Sequence, residues 1–157
     1  MAATSDGLAL AFGLSPFVEP STRSGRRFAK LSEGNTIVGV ELVPGKGRPK
    51  VIAVSKESRA LVCPVAEVSY LNGPGKGVVL MKLDDDDQLV GLKVARKPDD
   101  ALVLKTTLGG EQRVTLDRVD ASSRGGKGKE IIKRGQISEV VLAIPEPPQL
   151  AEEEVSP

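Results

Sequence analysis

The sequence predicts an all-β protein, a propeller-like array of about three four-stranded units with the first unit incomplete. Three observations carry that expectation. Aromatic residues make up only 3% of the 157 residues, with no Trp and one Tyr, so the core must be built from Val, Leu, Ile and Ala. Val and Ile favour strands. The 17 Gly and 11 Pro fall mostly between short apolar runs, which implies many turns rather than long helices. The chain also repeats itself with a period of about 51 residues.

The repeat justifies each element in turn. LALAFGLSPF (8–17), RALVCPVAEV (59–68) and EQRVTLDRV (111–119) align, so that Leu14, Val65 and Leu116 stand 51 apart, as do Phe17, Val68 and Val119. A glycine-rich basic turn follows each time: TRSGRR (22–27), GPGKGV (73–78) and RGGKGK (124–129). The first unit (1–45) begins late, because only AATS (2–5) stands where a first strand is due. It continues through RFAKL (27–31) and closes on TIVGVELV (36–43). The second unit (46–97) is the template, with strands expected at VIAVS (51–55), RALVCPV (59–65), VVLMKL (78–83) and QLVGLKVA (88–95). The third (98–144) repeats it with ALVLKTT (101–107), EQRVTL (111–116), KEIIKR (129–134) and ISEVVLAI (137–144). Gly39 and Gly91 hold the same place in the first two closing strands, 52 apart. Short strands bounded by Gly, Asp and Ser at a fixed period are the signature of a propeller-like array. The abbreviated start reads as a cut from a longer polypeptide. Residues 145–157, rich in Pro and Glu and without periodicity, read as a disordered acidic tail.

Several function classes are excluded or disfavoured by composition. With no His, Ser-His and Cys-His catalysis and His-ligated metals are out. Cys63 is alone, so it has no internal disulfide partner and is expected as a buried small hydrophobe in a reducing compartment. No run of 18 apolar residues exists to span a membrane, and LALAFGL (8–14) lacks the basic segment that opens a signal peptide. GPGKGV lacks the Ser or Thr that closes a Walker loop. The run DDDD (84–87) reads as a solvated turn, since contiguous carboxylates cannot all converge on one ion. No metal or cofactor is implied.

Charge is distributed more tellingly than its net of +1 suggests. The tail holds four of the 21 acidic residues, leaving 17 against 22 basic in 1–144, a net of +5. A mildly basic body permits a polyanion partner. In the turns, glycine lets a phosphate approach backbone N–H groups while Lys and Arg supply charge. The candidates are Arg23, Arg26 and Arg27 in the first turn, Lys76 in the second, and Arg124, Lys127 and Lys129 in the third. Lys46, Arg48 and Lys50 on the connection GKGRPK extend the track, and Lys133 and Arg134 follow the third turn. Glycine and lysine also suit any exposed turn; recurrence in every unit is what favours the anion reading. The scarcity of planar side chains argues against a single-strand binder.

The pattern P-x-x-E/D-V followed by a G-x-G-K-G turn, clearest in residues 55–95 and 116–135, resembles the C-terminal β-pinwheel domain of bacterial type IIA topoisomerase A subunits. The resemblance covers roughly residues 4–144. It implies blades that exchange a strand with their neighbour, and a basic rim that binds and bends double-stranded DNA. It also implies a non-catalytic part of an ATP-dependent topoisomerase, in the cytoplasm with the nucleoid. The partners implied are an ATPase B subunit, the remainder of the topoisomerase A subunit, and DNA. Tyr70 lacks the arginine, carboxylate cluster and winged helix that the family's DNA-cutting tyrosine requires, and is expected to pack over a blade edge or contact backbone. Gyrase A subunits carry a box resembling Q-R-R-G-G-R-G; here the nearest match is Ser122-Ser123-Arg124-Gly125-Gly126-Lys127-Gly128, with the Gln and the first of the paired Arg replaced by Ser. That favours a topoisomerase IV-like A subunit over a gyrase A subunit. A small propeller serving as a protein-interaction scaffold is the rival reading. The acidic tail is expected to compete with DNA for the basic rim.

Overall fold

The structure, a computed structural model, describes residues 1–21 and 23–142. The expected acidic tail at 145–157 lies outside the described residues. Three antiparallel hairpins form the frame, and their registers repeat with the sequence. Ala2 pairs with Leu10, Ala53 with Leu61, and Leu104 with Gln112, each pair 51 residues beyond the last. The strands are β1 (Ala2–Thr4) with β2 (Leu8–Phe12), β4 (Lys50–Ser55) with β5 (Arg59–Pro64), and β9 (Leu102–Thr106) with β10 (Glu111–Val114). Each first strand also pairs with the closing strand of its unit: β3 (Ile37–Val40), β8 (Leu89–Ala95) and β12 (Ile137–Val141). At three residues, β1 is shorter than β4 or β9.

The fourth strand of a blade comes from the next unit. Strand β7 (Val78–Val79) pairs with β2, and β11 (Lys129–Glu130) pairs with β5. The first sheet gains a further short strand, β6 (Tyr70–Leu71), parallel to β2, so that it has five strands, the second four and the third three among the described residues. These exchanged strands are shorter than the runs VVLMKL and KEIIKR suggested. Leu80 and Met81 leave the ladder to fill the first core cluster, while Ile131 and Ile132 pack on the second, so packing overrides their strand propensity. The run RFAKL forms no strand and is held through one bridge, Ala29 to Gly75.

Two buried clusters join the three sheets. Alternate residues of β4 face opposite ways: Val51 and Ala53 join the cluster shared with the first sheet, Ile52 and Val54 that shared with the third. A strand buried on both faces explains why VIAV has no polar alternation. Gly39 and Gly91 recur because their strands approach a neighbour. An added Cβ would lie 2.5 Å from Leu92 Cδ2 at the first and 2.9 Å from Val140 Cγ2 at the second. No helix among the described residues is long and apolar enough to cross a membrane.

The DDDD run is only partly the solvated turn that its composition implied. Asp84, Asp85 and Asp86 are exposed, but Asp87 is buried and accepts the backbone N–H groups of Glu57 and Gln88. A carboxylate satisfied by two backbone donors is stable in such a place. No group of side chains suited to a metal exists among the described residues.

Candidate nucleic-acid interface

Backbone bonds place the three glycine-rich turns in series. The segment that leaves the first turn binds the second: Lys30 N donates to Gly75 O at 2.9 Å. The segment that leaves the second binds the third in the same way, with Lys82 N donating to Gly126 O at 2.9 Å and Gly125 N to Leu80 O at 2.7 Å. The last glycine of each turn has a left-handed backbone: Gly25 at φ 71°, Gly77 at 83° and Gly128 at 73°. At Gly77 and Gly128 a side chain is also sterically barred, because a Cβ would lie 2.1 Å from Ala9 O and 2.5 Å from Ala60 O. These glycines let the exchanged strand dock on the preceding blade, so part of the motif is architectural. A Cβ at Gly25 would meet nothing within 4 Å among the described residues.

The predicted cations fall into two groups. Arg23, Arg26, Arg27, Lys46, Arg48, Lys76, Lys133 and Arg134 are exposed and form no salt bridge among the described residues; Lys50 is half-buried and likewise has none. The third turn differs. Arg124 donates its backbone N–H to Glu67 Oε2 at 2.9 Å, its Nε to Glu67 O at 3.0 Å and its Nη1 to Val79 O at 3.1 Å. Lys127 pairs with Asp84 and Lys129 with Asp120, and each ion pair holds its aspartate below the usual carboxylate range. Both pairs are solvent-exposed and so contribute little to stability.

A sequence model of the DNA gyrase C-terminal domain, a β-propeller, matches residues 1–44, 49–96 and 113–139. The chain belongs to that family. A DNA gyrase A subunit of Mycolicibacterium smegmatis is 32% identical over 127 residues, 80% of this chain and 14% of the relative. The solved C-terminal domain of a DNA topoisomerase IV superposes with a TM-score of 0.77 at 22% identity, covering 91% of this chain and 45% of that one. A solved DNA gyrase A C-terminal domain gives 0.72 at 22% identity, covering 91% and 48%. The chain thus spans about a seventh of that curated relative and about half of the solved domains, and the structural likeness bears out the pinwheel fold.

Within this gyrase C-terminal-domain fold, the structure adds residues that the glycine-turn motif does not single out. Lys30 and Lys82 are exposed, form no salt bridge among the described residues, and stand beside the turn glycines to which their own N–H groups donate. Their signal was legible as AKL (29–31), MKL (81–83) and IKR (132–134), the last of which holds Lys133. Arg59 holds the third turn from behind, donating Nε to Lys127 O and Nη2 to Gly128 O, both at 2.9 Å. Cys63 is buried, and burial followed by the Glu67 charge pushes its thiol up to about 12, with Arg124 opposing. Tyr70 sits in the edge strand β6 with its ring exposed.

Proposed function

We propose that this domain is non-catalytic and binds and bends double-stranded DNA along the row of turns, as the C-terminal domain of a topoisomerase IV-like A subunit. The observation that carries the reading is the row itself. Successive turns are hydrogen-bonded in series, and the cations of the first two, together with Lys30 and Lys82, face no acid in a salt bridge among the described residues. Such a row meets phosphates and reads no bases, so affinity must fall steeply with salt as counterions are released. The partners within the parent enzyme would be an ATPase B subunit together with the remainder of the A subunit. The choice of topoisomerase IV rests on the departed box. Its one retained arginine, Arg124, has its guanidinium on Glu67 and Val79 carbonyls rather than open to a phosphate.

A gel-shift with linear duplex at low and moderate salt tests the binding. Binding at low salt, with a salt slope that drops by about one per cation on Arg26→Ala, Arg27→Ala and Lys76→Ala, supports the proposal. No binding at low salt, or no change in slope, overturns it. The second reading, a gyrase A wrapping domain, is favoured by the mycobacterial gyrase relative. Religation of nicked circles in the presence of the protein separates the two. An unchanged linking number fits the topoisomerase IV-like reading, and a shift of fixed sign fits gyrase.

A further inference from the structure

The four aromatic residues of the chain, scattered at 12, 17, 28 and 70, converge on one cleft of about 440 Å³ that also holds Arg26 and Arg27. Phe12 and Phe28 stack at 4.8 Å between centroids, and Phe17 meets Phe12 edge-on at 5.7 Å. Tyr70, 62% exposed, closes another side, and Gly13 makes room for it, since a Cβ there would lie 2.5 Å from the phenol oxygen. The other units show nothing comparable. Where unit one has Phe12 and Phe17, the later units have Cys63 with Val68 and Val114 with Val119, all buried, and Tyr70 gives way to Ala121. Packing alone explains the stacked pair of phenylalanines. It does not explain an exposed tyrosine beside two arginines that form no salt bridge among the described residues. Among the described residues no carboxylate lines the cleft, while Asn72 and Ser15 offer hydrogen-bonding groups.

We infer that this cleft takes an unstacked nucleobase of single-stranded DNA, its ring on Tyr70 and Phe17 and its phosphate on Arg26 and Arg27. Every base has a face that stacks on an aromatic ring, and guanidinium groups recognise the phosphate beside it. The inference rests on the DNA-binding reading and extends it. A base freed at a nick, an end or a sharp bend of the bound duplex would lodge next to the first turn.

The single tyrosine makes the test direct, because the ring-proton NMR signals of Tyr70 belong to no other residue. The protein is titrated with an oligothymidylate and with an abasic deoxyribose-phosphate strand of the same length, and affinities are read by anisotropy. The expected result is a saturable upfield shift of the Tyr70 signals with the oligothymidylate and none with the abasic strand. Tyr70→Ala should cost about tenfold in oligothymidylate affinity and change affinity for blunt duplex by less than twofold. Equal affinity for both strands with unmoved Tyr70 signals overturns the base site while leaving duplex binding standing. Failure to bind either strand or duplex overturns both readings together. A tyrosine replaced at the surface leaves the core intact, and the Phe17→Ala variant, read by the same Tyr70 signals, must weaken the shift as well.

Discussion

In the third turn Gly128 lies against the Ala60 carbonyl, and Arg124, Lys127 and Lys129 all bind protein oxygens. In the first turn Gly25 has the same left-handed backbone with open space where a Cβ would stand, and Arg23, Arg26 and Arg27 form no salt bridge among the described residues. One motif therefore serves two ends. The glycine conformation belongs to the path of the chain and persists whether or not a blade stands next to it. Availability of the charge is decided by the acids within reach: unit two supplies Glu67 and Asp84 to the third turn, unit three's own Asp120 pairs with Lys129, and no counterpart reaches the first turn among the described residues.

The sharpest way to break this comparison is to place a side chain at both glycines. Gly128→Val must overcome a positive φ and a backbone oxygen 2.5 Å from the new Cβ, and should cost about 4 kcal/mol or prevent folding. Gly25→Val meets only the positive φ and should cost about 1–2 kcal/mol. Urea unfolding of the two variants reads the difference. Equal losses would mean that the first turn also docks on protein, against the open space at Gly25.

A middle-sized effect separates the arginines. Arg124→Ala removes two side-chain bonds to the carbonyls of Glu67 and Val79, so it unties the second unit from the third. Charge-assisted bonds at an exposed site suggest a loss of about 1 kcal/mol. Arg26→Ala should leave the melting temperature unchanged and lower duplex affinity instead. If Arg124→Ala weakened DNA binding without touching stability, the third turn would be a phosphate cradle after all.

How much of this was legible beforehand varies with distance along the chain. The hairpins were, because a period of 51 fixes the pairs Ala2–Leu10, Ala53–Leu61 and Leu104–Gln112 together. The destination of VVLMKL and KEIIKR was not readable from their own residues, since a two-residue pairing with the preceding unit leaves no local trace. Only the likeness to the pinwheel family implied it. The candidate cations were legible as residue types but not as free or engaged. Arg124 finds Glu67 57 positions back and Val79 45 back, separations at which no local pattern operates. The cleft was hidden for the same reason. A composition of 3% aromatics argued against stacking, yet what matters is that Phe12, Phe17, Phe28 and Tyr70 arrive in one place.

The smallest effect reports on the Glu67–Arg124 contact from inside the fold. Cys63 lies close enough to both to sense their charges, and its thiol is pushed from an ordinary 9.0 up to about 12, mainly by burial. A group whose folded pKa is raised contributes its full stability below the unfolded value and loses it as pH climbs through the folded one. Stability should therefore decline between about pH 9 and 12 more steeply in the native chain than in Cys63→Ala, which has no thiol to ionise. Because Arg124 opposes the rise, Arg124→Ala should push the thiol higher still, so that alkylation of the folded protein at about pH 9 slows further. Faster alkylation would show instead that losing Arg124 opens the contact between units and admits the reagent. The first turn has no such buried reporter, so Arg26→Ala should leave the alkylation rate where it was.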